Sequence, residues 1–237
     1  MSDTKLITTH SAEPAPPVPC DCPQVTVDVV IFCLREGDLQ VLLVRRPEWA
    51  EVWAIPGGIV KSAEGLEAAA ARTLAEETGV RDVFLDQLYT FGEPERDLGR
   101  RTVSVAYFAA VPATAVVPRA SDGAGRVRWW SIYHLPPLAL DHADILRYAL
   151  TRLRYKLEYT AVGFELLPET FTLTELQTAY EIVLGEALDK RNFRRKILSA
   201  GVIEPHGGYR TGEGRPARLY RYRADAVAEV KARRLFP

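Results

Sequence analysis

The sequence predicts an α+β protein in two modules: a strand-rich sandwich with few helices, then a helix–turn–helix followed by a β-ribbon. Three observations carry this. Runs of β-branched and aromatic residues alternate with turn signals across residues 25–132. Only two segments there, Leu66–Thr78 and Asp141–Glu158, have the length and composition of helices. The charge is also split along the chain. The whole sequence has 30 basic and 31 acidic side chains in 237 residues, but its last 67 residues carry 13 basic and 8 acidic. A basic module on an acidic body points to a polyanionic partner for the second part.

The composition excludes several classes. An apolar content of 47% supports a packed core and argues against disorder throughout. No run of eighteen apolar residues is present, so a membrane-spanning helix and a membrane partner are not expected. The first 19 residues lack a secretory apolar segment, and Ala12 to Pro19 read as a Pro-rich polar tail. Cys20, Cys22 and Cys33 are too few for a disulfide framework, and a reducing cytoplasm is expected.

The elements follow in order. Val25–Leu34 and Leu39–Val44 read as a hairpin around Glu36-Gly37-Asp38. Trp53–Ile55 is a short extended piece stopped by Pro56-Gly57-Gly58. The helix Leu66–Thr78 ends at Gly79, a residue that adopts the left-handed terminal position without strain. Val83–Phe91, Thr102–Val111 and Arg126–Ile132 read as strands, and Asp141–Glu158 as a closing helix. The expected organisation is a disordered tail over 1–24, a strand-rich module over 25–158, a linker over 159–170 and a basic module over 171–237.

Residues 57–80 read GGIVKSAEGLEAAAARTLAEETGV. Glycines 57 and 58 let the backbone approach a ligand closely. Positions 73, 76 and 77 share one helical arc of about 100°. Carboxylates clustered there bind a hard cation such as Mg²⁺, making Glu76 and Glu77 candidate metal ligands. Arg72 lies four residues before Glu76 and can orient it. The spacing of Gly58, Glu64, Arg72, Leu74, Glu76-Glu77 and Gly79 resembles the Nudix box of enzymes that hydrolyse nucleoside diphosphates linked to another group. That resemblance implies an α/β/α sandwich with Gly57, Gly58 and Arg72 at the pocket. The family has Glu where this chain has Thr73, so the carboxylate cluster is one member short and hydrolysis is expected to be weak or absent. No catalytic residue is assigned. The segment Tyr89 to Tyr107 resembles the matching stretch of Nudix proteins acting on ADP-ribose. Its polar loop carries Arg96, Arg100 and Arg101, which can meet a diphosphate or pair with Glu93, Glu95 and Asp97.

In the second module Thr172-Leu173-Thr174-Glu175 is a capping box that starts a helix with Leu176, Tyr180, Val183 and Leu184 as its buried stripe. Gly185 ends it. Asp189 caps a second helix, Lys190–Ala200, which buries Phe193, Ile197 and Ala200. Arg191 and Arg195, with Asn192 beside them, point away from that stripe, while Lys190, Arg194 and Lys196 flank it. Strands at Val202–Glu204 and Arg218–Arg223 are joined by a Gly-rich basic loop, His206–Arg215. This order makes a winged helix-turn-helix. Arg and Asn match guanine and adenine edges in a major groove. Lys190, Arg194, Lys196 and, from the wing, Arg210, Arg215 and Arg218 suit phosphates of duplex DNA.

The segment TAVGFELLPETFTLTELQTAYEIVLGEALDKRNFRRKILSAGVI, followed by GRPARLYRY, resembles the C-terminal domain of Nudix-related transcriptional regulators, the NrtR family. The resemblance implies a homodimeric regulator, commonly a repressor of NAD metabolism, that binds operator DNA and senses ADP-ribose or a related nucleotide sugar. A Mg²⁺-dependent ADP-ribose pyrophosphatase and a regulator of sugar metabolism are the alternatives.

Overall fold

The computed structural model describes residues 22–47, 51–113, 126–159, 162–211 and 216–223. Most of the expected tail, including Cys20, and Arg215 of the expected wing lie outside the described residues.

The first module is built on one six-stranded sheet. Its strands are β1 (Gln24–Arg35), β2 (Asp38–Arg45), β3 (Gly57–Ile59), β4 (Asp86–Phe91), β5 (Thr102–Val111) and β6 (Arg126–Ser131). They lie in the order β4-β5-β1-β2-β6, with β3 pairing β1 off that path. β1 and β5 run parallel, and the other pairs are antiparallel. Helix α1 (Leu66–Thr78) covers one face and α2 (His142–Tyr159) the other. Because both faces are covered, β1 is buried continuously from Val27 to Cys33. Val27, Val29 and Ile31 pack with Ala69, Ala70 and Leu74 of α1. Val30 and Phe32 pack with Ile145, Leu146 and Ala149 of α2. The expected strand at Val83 begins only at Asp86, because Val83 and Leu85 pack against the α1-side core without a strand partner.

The second module contains α3 (Val162–Glu165), β7 (Thr170–Thr172), α4 (Leu173–Leu184), α5 (Lys190–Ser199), β8 (Ile203–Arg210) and β9 (Ala217–Tyr222). Its three strands lie in the order β7-β9-β8. The capping box at α4 is complete: Thr172 Oγ1 accepts from Glu175 N, and Glu175 Oε2 accepts from Thr172 N. α4 stops at Gly185, whose φ of 77° is left-handed. Asp189 caps α5 by accepting from Asn192 N.

Two expectations need correction, and one strand was not expected. The expected linker over 159–170 contains packed structure, since α3 lies in it and Phe164 and Leu166 are buried. β7 pairs with β9, nearly fifty residues downstream, so no local pattern announced it. The wing strand β8 continues to Arg210, which places His206–Arg210 in a strand instead of a loop. One apolar core runs from the α2 face through Leu157, Phe164 and Phe171 to Tyr180, Phe193 and Ile197, so the two modules share it. Among the described residues no helix is long and apolar enough to cross a membrane.

Candidate functional site

The loop–helix around α1 is held by two ion-pair clamps. In the first, Arg72 donates to both oxygens of Glu64, at 2.8 and 2.5 Å, and to Glu76 at 2.9 Å. It also donates to the Ile59 carbonyl at 3.0 Å, fastening the incoming loop onto the helix. These bonds from Arg72, helped by the Lys61 amide, hold the Glu64 carboxyl at about 2, well below its usual range. The same pairing pushes the Arg72 guanidinium up.

In the second clamp, Glu77 accepts from the Gly57 amide and from Arg46 Nε, both at 2.8 Å. Arg46 also donates to the Gly57 carbonyl at 2.7 Å. A Cβ on Gly57 would sit 2.4 Å from Asp28 Oδ1 and 2.5 Å from the Val27 carbonyl, so only glycine lets this loop lie against β1. Thr73 is buried, and its hydroxyl donates to the Ala69 carbonyl at 2.7 Å, inside the helix. The absent side chain at Gly58 leaves room for Thr73, whose Cγ2 would lie 3.0 Å from any Cβ there.

This donor set does not match a Mg²⁺ site. Magnesium requires oxygen ligands in near-octahedral array. Here both oxygens of Glu77 accept from Arg46 and Gly57, Glu76 accepts from Arg72, and Thr73 donates into its own helix. Among the described residues no group of three or more His, Cys, Asp or Glu converges on a point.

The three arginines of the loop over 93–101 go to different places. Arg100 is exposed and donates to Gln24 Oε1 at 2.8 Å, and Arg101 is exposed and donates to the Gly92 carbonyl at 2.9 Å. Both remain at the surface beside the sheet end that carries β3. Arg96 departs from its expected ligand role. Its side chain is 2% exposed and makes a two-pronged pair with Asp141, at 2.9 and 2.7 Å, with Asp28 at 3.7 Å. It pairs with none of Glu93, Glu95 or Asp97 in that geometry. Asp28 also accepts from Ser104 Oγ at 2.5 Å. His142, at the start of α2, accepts from the Ile55 amide through Nδ1 at 3.0 Å, and its Nε2 faces Asp28 at 3.6 Å. Burial pushes the His142 imidazole down, which keeps it neutral and fits Nδ1 as acceptor. Asp28, Asp141, His142 and Arg46 carried no local sequence signal, because their ion-pair partners lie 31 to 114 residues away.

The second candidate surface belongs to α5. Phe193 and Ile197 face the core, and Lys190, Arg191, Asn192 and Arg195 are exposed. Arg195 donates to Asn192 Oδ1 at 2.8 Å, so the two present one pre-formed polar edge. Arg194 and Lys196 are half-buried, and Arg194 donates to Thr174 Oγ1 at the start of α4. A groove of about 460 Å³ runs between the first turn of α4, Lys190, Arg194 and Arg218 of β9. The start of a helix next to three cations suits a phosphate. Arg210 is differently employed: it donates to Glu175 of the capping box at 2.6 Å and to the Thr170 carbonyl at 3.1 Å, bracing β8 against α4.

Comparison with known proteins matches both modules. The NUDIX domain family matches residues 24–150, and the NrtR DNA-binding winged helix domain matches residues 163–222. An ADPR-responsive transcriptional repressor of Acinetobacter baylyi is 38% identical over 206 residues, covering 84% of this chain and 82% of that protein. The crystal structure of Shewanella oneidensis NrtR with a 27mer DNA is similar at a TM-score of 0.75 and 35% identity, over 89% of this chain and 96% of that one. The Nudix domain of the same Shewanella protein, crystallised with ADP-ribose, is 33% identical over 56% of this chain and 89% of that one, with a TM-score of 0.52.

Proposed function

The chain belongs to the NrtR family of Nudix-related transcriptional regulators, and from that premise we propose that it is a DNA-binding repressor governed by ADP-ribose. The observation that carries this reading is the pairing of two features in one chain. One is a Nudix loop–helix whose carboxylates are engaged by its own arginines. The other is a winged helix that presents Arg191, Asn192 and Arg195 on one exposed edge.

The roles divide by geometry. Arg191, Asn192 and Arg195 read base edges in a major groove, with Arg suited to guanine and Asn to adenine. Lys190, Arg194, Lys196 and Arg218 take phosphates and set the register, and Arg215, outside the described residues, is given the same role from its place in the sequence of the wing. Arg210 holds the wing in place for them. Gly57, Gly58, Arg100 and Arg101 border the effector site, and Arg72 shapes its loop. The protein acts as a homodimer, so two α5 helices meet successive major grooves of a two-fold operator. Its operators control NAD metabolism, in keeping with ADP-ribose as the sensed product. Bound effector favours a dimer arrangement that fits the operator poorly, and linkage requires the operator to weaken effector binding by the same factor.

The test is titration of ADP-ribose, NAD and phosphorylated pentoses into the protein–operator complex. Release by ADP-ribose supports the reading, and release by a pentose derivative alone would move the protein to sugar metabolism. The adjacent carboxylates Glu76 and Glu77, the first with its side chain 57% exposed, favour one rival, a Mg²⁺-dependent ADP-ribose pyrophosphatase. AMP release at roughly 10 per second, an ordinary enzyme rate, would establish that rival instead.

A further inference from the structure

We propose that Tyr133 and Arg154 form a clasp through which the Nudix module positions the recognition helix α5, and that this clasp transmits the effector signal. The proposal rests on the regulator reading above and identifies where its two sites are coupled.

The last carbonyls of a helix have no partner within it. In α4 the Glu181 carbonyl is taken by the Gly185 amide. The next two are satisfied from the other module. Tyr133 Oη donates to the Ile182 carbonyl at 2.6 Å and lies 3.4 Å from that of Val183. Arg154 Nε donates to the Val183 carbonyl at 2.9 Å. Tyr133 stands two residues beyond β6, and Arg154 lies on α2. The end of α4 is therefore capped across the module boundary, and turning the winged helix on the Nudix module leaves its acceptors unsatisfied.

Holding the end of α4 also aims α5. Glu181 Oε1 accepts from the Leu188 amide at 2.9 Å, and Gln177 Nε2 donates to the Leu188 carbonyl at 3.0 Å. These bonds lock the turn over 185–189, so the two helices move together. The opposite end of α2 meets the effector side. Asp141, just before α2, grips Arg96 of the loop that carries Arg100 and Arg101, and His142 holds the Ile55 amide two residues before Gly57. Arg154 is three turns further along an 18-residue helix. A shift of the loop is delivered by a rigid rod to the carbonyl that Arg154 holds.

The experiment uses the full chain and a duplex selected from random sequence for binding by the parent. Operator affinity is measured with and without saturating ADP-ribose, and the ratio is the coupling factor. Allosteric factors of about 5–150-fold are typical. In the Tyr133→Phe/Arg154→Met variant the factor is expected to fall at least about fivefold, while ADP-ribose affinity of the DNA-free protein stays within about twofold of the parent. Arg154→Lys, whose ammonium can reach the same carbonyl, should restore part of the factor. Tyr133→Phe alone removes one hydroxyl at a half-exposed ring and decides the matter if the double variant does not fold. An unchanged factor overturns the clasp, even where operator affinity itself drops, because that result describes a structural brace. A parent that shows no effect of ADP-ribose on operator binding removes both the regulator reading and the clasp. A responsive parent with equally responsive variants removes only the clasp.

Discussion

Replacing Arg96 by Met should destabilise the fold severely while leaving the effector site chemically intact. Met preserves most of the aliphatic stem volume, so the change removes charge and hydrogen bonds more than packing. What is left behind is the Asp141 carboxylate without its two-pronged donor, at 2.9 and 2.7 Å, and Asp28 without the cation at 3.7 Å. The Asp28 and Asp141 side chains are only 9% and 17% exposed, so water cannot take over that role. Breaking a buried pair by removing one partner costs about 3–5 kcal/mol. For a chain of this size each kcal/mol lowers Tm by about 2–4 °C, giving a drop of roughly 6–20 °C. Urea unfolding and thermal melts measure it, and a double-mutant cycle with Asp141→Asn should return a coupling of about 0.5–3 kcal/mol. Calorimetric titration with ADP-ribose, run at a temperature where the variant is folded, should give nearly parental affinity. A stability loss under about 1 kcal/mol together with a tenfold loss of ADP-ribose affinity would refute this reasoning and return Arg96 to the ligand.

Two other outcomes follow from the same geometry. Arg191→Ala with Arg195→Ala should cost about 1–3 kcal/mol for each arginine that reads a base edge, measured by mobility shift at fixed salt, and unchanged operator affinity would move recognition off α5. Stability should fall with acid below about pH 6.5 through His142: its folded pKa is lowered, so the unfolded chain takes up the proton first and the native state loses ground as pH drops. His142→Asn, which keeps an acceptor for the Ile55 amide, should flatten that part of a Tm-against-pH profile; an equally steep profile would assign the acid sensitivity to other groups.

The elements legible in the sequence are those whose cause is local. α1 runs from Leu66 to Thr78 as its pattern requires, and the α4 cap is fully set by Thr172 and Glu175, three residues apart. β5 carries its β-branched run over the expected span, and α5 keeps its expected start at Lys190. What could not be read depends on distant partners. β7 becomes a strand only because β9 arrives beside it, and β8 lengthens to Arg210 for the same reason. In the site, composition marked Arg96, Arg100 and Arg101 as equivalent loop cations. Tertiary packing separates them, burying one against Asp141 and leaving two outside. Arg46 was silent because its partner Glu77 lies 31 residues downstream.

A sensor and a hydrolase ask different things of the same loop–helix. Hydrolysis requires charges aimed at groups that form only in the transition state, since uniform binding does not accelerate the chemical step. In this chain the carboxylates of the Nudix segment serve the loop itself. Glu64 and Glu76 hold Arg72 against the Ile59 carbonyl, Glu77 and Arg46 fix both polar groups of Gly57, and Thr73 turns its hydroxyl inward. Each of these bonds pre-organises backbone, which lowers the ordering cost a ligand must meet on binding. None of them leaves a carboxylate array of the kind a metal would need. Binding energy that is not spent on chemistry remains available to bias one module arrangement over another. Under the regulator reading, Thr73 and the winged helix serve one use: a pocket that holds its ligand without a full carboxylate cluster, joined through α2, the element proposed above to carry the signal, to the DNA-facing module.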